Sequence, residues 1–155
     1  MAMAARHILC FGNDLHGDDG FGPYVYTLLC ELSWPADVRL FNAGIAGLNA
    51  LSCLDNCRQA ILVDAVQNFG QAGEVLLLQA ADLRAAPPAL NSHGLGLAYL
   101  LQAWQSLQPQ HLPPVEMIIV GVEIGTPQAF HYGLSAQTAQ AAPQAVRLIR
   151  QLLTA

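Results

Sequence analysis

The stretch HILCFGNDLHGDDGFG, residues 7–22, contains the pattern from which the fold can be predicted. Its first five residues form an almost entirely apolar run, which predicts a buried β-strand at His7–Phe11. The glycine-rich loop GNDLHGDDG follows, and apolar residues then recur at helical spacing, at Phe21, Val25, Leu28, Leu29 and Leu32. A buried strand, a tight loop and an amphipathic helix in this order are typical of a parallel α/β protein.

The same alternation of strand and helix patterns continues to the end of the chain. Further strands are predicted at Asp37–Phe41, Ala60–Val66, Glu74–Leu78 and Met117–Val122, with Glu74–Leu78 as a candidate edge strand. Helices are predicted at Leu48–Leu54, after Ser92 and over Ser135–Leu153, with a kink or break at Pro143, and a loop is predicted at Asp82–Asn91. We therefore expect one domain over residues 1–155, a three-layer α/β/α fold with a mostly parallel twisted sheet of about five strands and helices on both faces.

Composition narrows the function classes. Hydrophobic residues make up 54% and charged residues 11%, the net charge is −5, and lysine is absent. The scattered arginines form no basic stripe, which argues against nucleic acid as a partner. Because no apolar run could cross a membrane and no secretion signal is visible, we expect a cytoplasmic protein without membrane insertion. The four cysteines lack a CxxC pair and are expected to be small buried side chains.

Polar residues fall where the predicted strands end. The acidic loop follows the first strand, Asp64 lies near the end of the third, His93 is placed at a helix start, and Glu123 directly follows the last strand. In open parallel sheets ligands bind beyond the carboxyl ends of the strands, so these groups are expected at one edge.

The loop acids have two readings. Asp18 and Asp19 precede a helix, where a carboxylate caps free backbone N–H groups, and we expect Asp18 to act as this cap. Two adjacent caps exceed what one helix needs, so Asp19 is a candidate ligand, while Asp14 and His16 are expected to be exposed. The glycines spell neither GxGxxG nor a P-loop, which disfavours a phosphate site.

Asp64 lies inside the apolar run ILVDAV, where an unpaired carboxylate would be costly to bury. It either caps neighbouring loop amides or binds a metal, and the sequence favours neither. His93 in the first turn of a helix capped by Ser92 would carry a neutral ring suited to coordination. Two carboxylates and an imidazole suit a divalent transition metal. No GxSxG motif occurs and Cys10 lies within a strand, which disfavours serine and cysteine nucleophiles.

Four segments together resemble the hydrogenase maturation endopeptidases, the proteases that trim the C-terminus of the nickel–iron hydrogenase large subunit. The segments are ILCFGNDLHGDDGFG, ILVDAV, SHGLGLAYLL, and VGVEIG followed by YGLSAQT. The resemblance implies that Asp19, Asp64 and His93 are metal ligands. One departure is Asn42 in FNAGIAG, where the family usually has an aspartate, so Asn42 would line the site without a charge. Glu123 is a candidate to supply the missing charge.

The resemblance also implies a function. The chain would remove a C-terminal peptide from the nickel-loaded precursor of the large subunit, acting as a monomer. The nickel would belong to the substrate, and other divalent metals such as zinc or cadmium could occupy the same site in vitro. Two alternatives stay open. One is a non-catalytic nickel-sensing or assembly chaperone for the same subunit, and the other is a flavodoxin-like or nucleotide-binding domain whose loop acids only cap helices.

Overall fold

The computed structural model describes residues 5–85, 95–111, 114–126 and 130–154. The strands in these ranges are β1 (Ala5–Phe11), β2 (Val38–Gly44), β3 (Cys57–Val66), β4 (Val75–Gln79) and β5 (Glu116–Glu123). They form one sheet in the order β2-β1-β3-β5-β4. The pairs β1–β2, β1–β3 and β3–β5 are parallel, and β4 joins the edge of the sheet antiparallel to β5. The predicted mostly parallel, five-stranded sheet is confirmed.

The helices are α1 (Phe21–Cys30), α2 (Ala80–Ala85), α3 (Leu95–His111) and α4 (Ala136–Thr154), with 3-10 segments at Gly17–Gly20 and Gly47–Leu54. The first residues of the loop predicted at Asp82–Asn91 belong to α2 instead, and residues 86–91 lie outside the described residues. The last helix does not break at Pro143, because α4 continues through that residue, while a kink there stays a prediction. No helix in the described part of the chain is long and apolar enough to cross a membrane.

The sheet separates two hydrophobic cores because successive side chains of a strand point to opposite faces. On β1, Ile8 and Cys10 pack with α1 and α4, while Leu9 and Phe11 pack with α3 and the Gly47–Leu54 segment. The central strands are therefore covered on both sides, which explains why their sequences are continuously apolar. The predicted helices on both faces are confirmed.

Two glycines allow the turn from β1 into α1. A Cβ on Gly22 would lie 1.9 Å from the carbonyl oxygen of Phe11, so α1 packs directly on the end of β1. Gly12 has a φ of +140°, and a Cβ there would lie 2.1 Å from the carbonyl oxygen of Asp19. The loop therefore folds back on itself and brings Asp19 to the carboxyl end of the strand.

Candidate active site

Two buried aspartates meet at the carboxyl edge of the sheet. Asp19 lies in the 3-10 segment after β1, Asp64 lies near the end of β3, and each is only 3% exposed. Because β1 and β3 are adjacent and parallel, their carboxyl ends lie side by side. The two side chains are close enough for the charge of Asp19 to raise the pKa of Asp64.

Burial dominates the electrostatics of this pair. It raises the pKa of Asp64 well above the usual range, and the charge of Asp19 adds to the effect. Burial also raises the pKa of Asp19 to about 6, although the hydrogen bond from Asn13 and the nearby His16 oppose the shift. The Asn13 N–H donates to Asp19 Oδ2 at 3.1 Å, and the Ala65 N–H donates to Asp64 Oδ1 at 2.8 Å. Carboxyls with raised pKa values at a sheet edge are candidates for a functional site.

The donor set fits a divalent cation. Two adjacent carboxylates repel each other in their charged forms, and a cation between them would remove that cost. Within the described ranges, no group of three His, Cys, Asp or Glu side chains could hold a metal ion. His93, the third ligand that the sequence predicts, lies outside the described residues. A three-ligand site therefore stays a prediction.

The start of α3 lies near the carboxyl edge of the sheet, which is also where the aspartates are. The helix ends at His111, five positions before β5 begins at the amino edge of the sheet. Its 17 residues rise by roughly 25 Å, comparable to the length of a strand in this sheet. Its first described residue, Leu95, is therefore near the carboxyl edge, two positions after His93 in the sequence.

Asn42 also lies at this edge, in the strand on the other side of β1. Its backbone is in register with Cys10, and its side chain is exposed. The Gly12 N–H donates to the carbonyl oxygen of Gly44 at 2.9 Å, which joins the end of β2 to the aspartate loop. That its neutral amide lines the aspartate site stays a prediction.

Asp18 has a different role from the one expected. Its Oδ1 accepts from the Ser135 N–H at 2.7 Å, and its Oδ2 accepts from the Ser135 hydroxyl at 2.9 Å. Ser135 directly precedes α4, whereas the N-cap of α1 is Gly20 and has no side-chain cap bond. Asp18 therefore secures the start of α4, and the prediction that it caps α1 was wrong.

Asp14 and His16 were both expected to be exposed, and this is confirmed only for Asp14. Asp14 is exposed, as expected. His16 is half-buried rather than exposed, because its backbone forms a parallel bridge with His131 and its ring lies 6.3 Å from the ring of Phe130.

Glu123 is a structural residue. It is 5% exposed, and its carboxylate accepts the backbone N–H groups of Asn68, Phe69 and Gly70 at 2.7 to 3.0 Å. These bonds hold the loop between β3 and β4, so the carboxylate is not free to supply the charge that Asn42 lacks. Sequence reasoning missed this role, since backbone amides carry no sequence signal.

The cysteines show no sign of catalytic activation. All four are free thiols, and Cys10 and Cys57 are buried. Burial raises the pKa of the Cys10 thiol far above the neutral range, so the nucleophilic thiolate would not form. The expectation of small buried side chains is confirmed for Cys10 and Cys57 and was wrong for Cys30, which is exposed at the end of α1.

Residues 23–152 match the family model HycI, described as hydrogenase maturation protease. The fold is similar to that of the hydrogenase-maturating endopeptidase HybD from E. coli, with a TM-score of 0.82, 24% identity, and 97% of this chain and 92% of that one covered. The [NiFe] hydrogenase maturation protease HycI from Thermococcus kodakarensis KOD1 is similar with a TM-score of 0.76 and 24% identity, and 98% of this chain and 94% of that one are covered. A hydrogenase 2 maturation peptidase from a Thaumarchaeota archaeon is similar with a TM-score of 0.68 and 27% identity, and 96% of this chain and 97% of that one are covered.

Proposed function

Because the chain belongs to the hydrogenase maturation protease family, we propose that it is the endopeptidase that removes a C-terminal peptide from the nickel-loaded precursor of a nickel–iron hydrogenase large subunit. The observation that supports this most strongly is the buried pair of Asp19 and Asp64, whose raised pKa values suit a site completed by a cation. The cation in this proposal is the precursor's own nickel, bound as part of the substrate.

Asp19 and Asp64 bind the substrate's nickel in this proposal, and His93 supplies a third ligand. The positive charge lowers the pKa of both carboxyls and so favours the charged forms that bind a metal. A bound divalent ion can polarise a carbonyl oxygen or lower the pKa of a water molecule. A precursor without nickel leaves the carboxyls in mutual repulsion and is therefore a poor substrate.

Asn42 lines the site beside the pair in this proposal. Its amide can donate and accept hydrogen bonds to a peptide backbone but cannot exchange a proton near neutral pH. It orients the peptide, and proton transfer falls to Asp19 and Asp64. Neither a non-catalytic nickel chaperone nor a nucleotide-binding domain has a supporting observation among the features described above.

The test is cleavage of a nickel-loaded large-subunit precursor, followed by mass spectrometry of the C-terminal peptide. We expect cleavage by the unaltered protein and a loss of rate of at least about a hundredfold in Asp64→Asn, which keeps the shape but removes the charge. Asp14→Asn is the matched control, because Asp14 is an exposed acid of the same loop as Asp19. We expect that control to cleave normally.

Two results would contradict the protease proposal. One is stable binding of the nickel-loaded precursor without any product, which is the behaviour of the chaperone alternative. The other is normal cleavage by Asp64→Asn and by His93→Ala, which would show that the reaction does not use these side chains.

A further inference from the structure

Exposed apolar side chains surround the carboxyl edge of the sheet. Seven large apolar residues are exposed in the described part of the chain, and four of them lie in loops at this edge. These four form the apolar rim: Leu15, Ile45, Phe130 and Tyr132, exposed by 55%, 73%, 93% and 76%. Exposed apolar groups gathered at one place, rather than scattered singly, mark an interaction surface.

Hydrogen bonds fix the rim to the aspartate loop. The His131 N–H donates to the carbonyl oxygen of Leu15 at 2.9 Å, and the Gly17 N–H donates to the carbonyl oxygen of His131 at 2.7 Å. Phe130 and Tyr132 flank His131, so both lie beside the loop that carries Asp19. Ile45 follows Gly44, which accepts the Gly12 N–H. The rim is therefore built into the edge that also holds the carboxylate pair.

Phe130 has an unfavourable backbone conformation that burial of its ring does not offset. Its φ is +58°, a left-handed value that a bulky side chain rarely adopts. The ring is 93% exposed, so the fold gains little burial in return for the strain. Strained residues of this kind cluster at binding and catalytic sites, where the surrounding structure enforces them.

Charge restricts what the rim can bind. Arg6, Arg39 and Arg58 lie at the amino ends of β1, β2 and β3, on the opposite side of the molecule. Arg147 and Arg150 lie in the second half of α4, whose end accepts a hydrogen bond from the Arg6 guanidinium at Leu153. Among the described side chains the carboxyl edge thus contains acids and no arginine, which disfavours an acidic partner.

We propose that the apolar rim is the surface on which the hydrogenase large-subunit precursor docks, through a segment with apolar side chains and no net negative charge. This rests on the proposed function, because it takes the precursor as the partner. The rim and the pair of Asp19 and Asp64 share one edge of the sheet. A segment bound to Phe130 and Tyr132 would therefore have its neighbouring residues at the carboxylates.

The test separates docking from cleavage by measuring kcat and KM for the nickel-loaded precursor. The variant is Phe130→Asn combined with Tyr132→Ser, since asparagine tolerates a positive φ and the fold is not put at risk. We expect KM to rise about tenfold or more while kcat changes by less than about threefold, because uniform binding is lost. The control is Leu77→Thr, an exposed apolar residue of β4 at 50% exposure, and its KM should not change.

Each other outcome has a defined meaning. An unchanged KM in a variant with a normal melting temperature would overturn the docking proposal, while cleavage by the unaltered protein would still support the protease. If no cleavage occurs, precursor binding is measured directly by calorimetry. Weaker binding by the double variant would then support docking although the protease proposal had failed, and equal or absent binding would overturn it. A dimer that the double variant dissociates would show that a second copy covers the rim, which also overturns it.

Discussion

Asp64 and Glu123 are two buried acids at the ends of neighbouring strands, and they are used in opposite ways. Glu123 accepts three backbone N–H groups from residues 68–70, which satisfies the carboxylate within the fold. Asp64 accepts one hydrogen bond from the described residues, the N–H of Ala65, and its pKa is raised by burial and by Asp19. A carboxylate that the fold does not satisfy is the better candidate for binding something else.

Glu123→Gln should destabilise the protein without entering the chemistry. The glutamine keeps one acceptor oxygen, but its NH₂ group would face a backbone N–H donor of the loop, so charge-assisted bonds are lost. We expect the free energy of unfolding to fall by roughly 2 kcal/mol, measured by urea denaturation. The control is Glu74→Gln, which should change little, because its carboxylate accepts one exposed bond, from the Gln71 N–H, and the glutamine oxygen can still accept it. Loss of cleavage with normal stability in Glu123→Gln would contradict the structural assignment.

The sequence could identify the acids but not all of their partners. For Asp64 the sequence allows both a cap and a metal ligand, because an apolar strand shows that a carboxylate is unusual there but not which groups surround it. Asp18 was assigned to the adjacent helix because local capping is the common pattern, whereas its partner is Ser135, 117 positions away. Long-range hydrogen bonds of this kind depend on the folded arrangement and leave no local trace.

Helix α4 is continuous through a proline, which is unusual. Pro143 has no N–H to donate, and its ring crowds the preceding turn, so a proline inside a helix is destabilising. The buried face on either side of it, with Ala141, Ala142, Ala145 and Val146, packs against the sheet and α1. Tertiary packing therefore outweighs the local preference for a break.

Pro143→Ala should stabilise the protein. The side chain is exposed, so little packing is lost, and the helix gains a backbone hydrogen bond. We expect the free energy of unfolding to rise by roughly 1–3 kcal/mol in thermal or urea denaturation. Gln144→Ala is the matched control at the next exposed position, and it should change stability by less than about 0.5 kcal/mol. A fall in stability for Pro143→Ala would show that the ring makes a contact that the fold needs.

Strands and helices were predictable from periodicity at most positions, and the differences have local causes. β1, β3 and β5 are longer than predicted because pairing with neighbouring strands extends them into polar residues. The antiparallel direction of β4 could not be read from the sequence, since a run of apolar residues is the same in both directions. The short α2 was hidden by the prolines that follow it in the sequence.

The described arginines lie away from the carboxyl edge of the sheet, where Asp19 and Asp64 are buried. Ionisation of those buried acids lowers the free energy of unfolding. The raised pKa of Asp19, about 6 against a usual 3.8, means that the native state binds a proton more readily than the unfolded chain. The associated stability is fully present below about pH 4 and is lost as the pH rises through the folded pKa. Asp37 acts in the opposite sense, because Arg6 at 2.8 Å lowers its pKa.

The free energy of unfolding of the metal-free protein should therefore fall between about pH 4 and pH 6. Asp64→Asn removes a buried carboxyl whose own pKa is raised by burial and by Asp19, so it should weaken the pH dependence and be more stable than the unaltered protein at pH 7, by roughly 1–3 kcal/mol. The measurement is urea denaturation across this pH range and at pH 7. Asp37→Asn is the control, since the same chemical change at a carboxylate paired with Arg6 should reduce stability at pH 7. A destabilised Asp64→Asn at neutral pH would contradict the repulsion between Asp19 and Asp64.

The bonds that join the aspartate loop to the far end of the chain affect the order of assembly during synthesis. The bonds of Asp18 cannot form before Ser135 has been synthesised. Those of the Leu15 and Gly17 backbone require His131, and both partners lie more than a hundred positions later in the sequence. A nascent chain can pair β1 with β2 and β3 and form the bond from the Gly12 N–H to Gly44, but the bonds of the acidic loop to His131 and Ser135 can form only later. The residues at the edge of the sheet therefore take up their final geometry only after residues 131–135 have been synthesised.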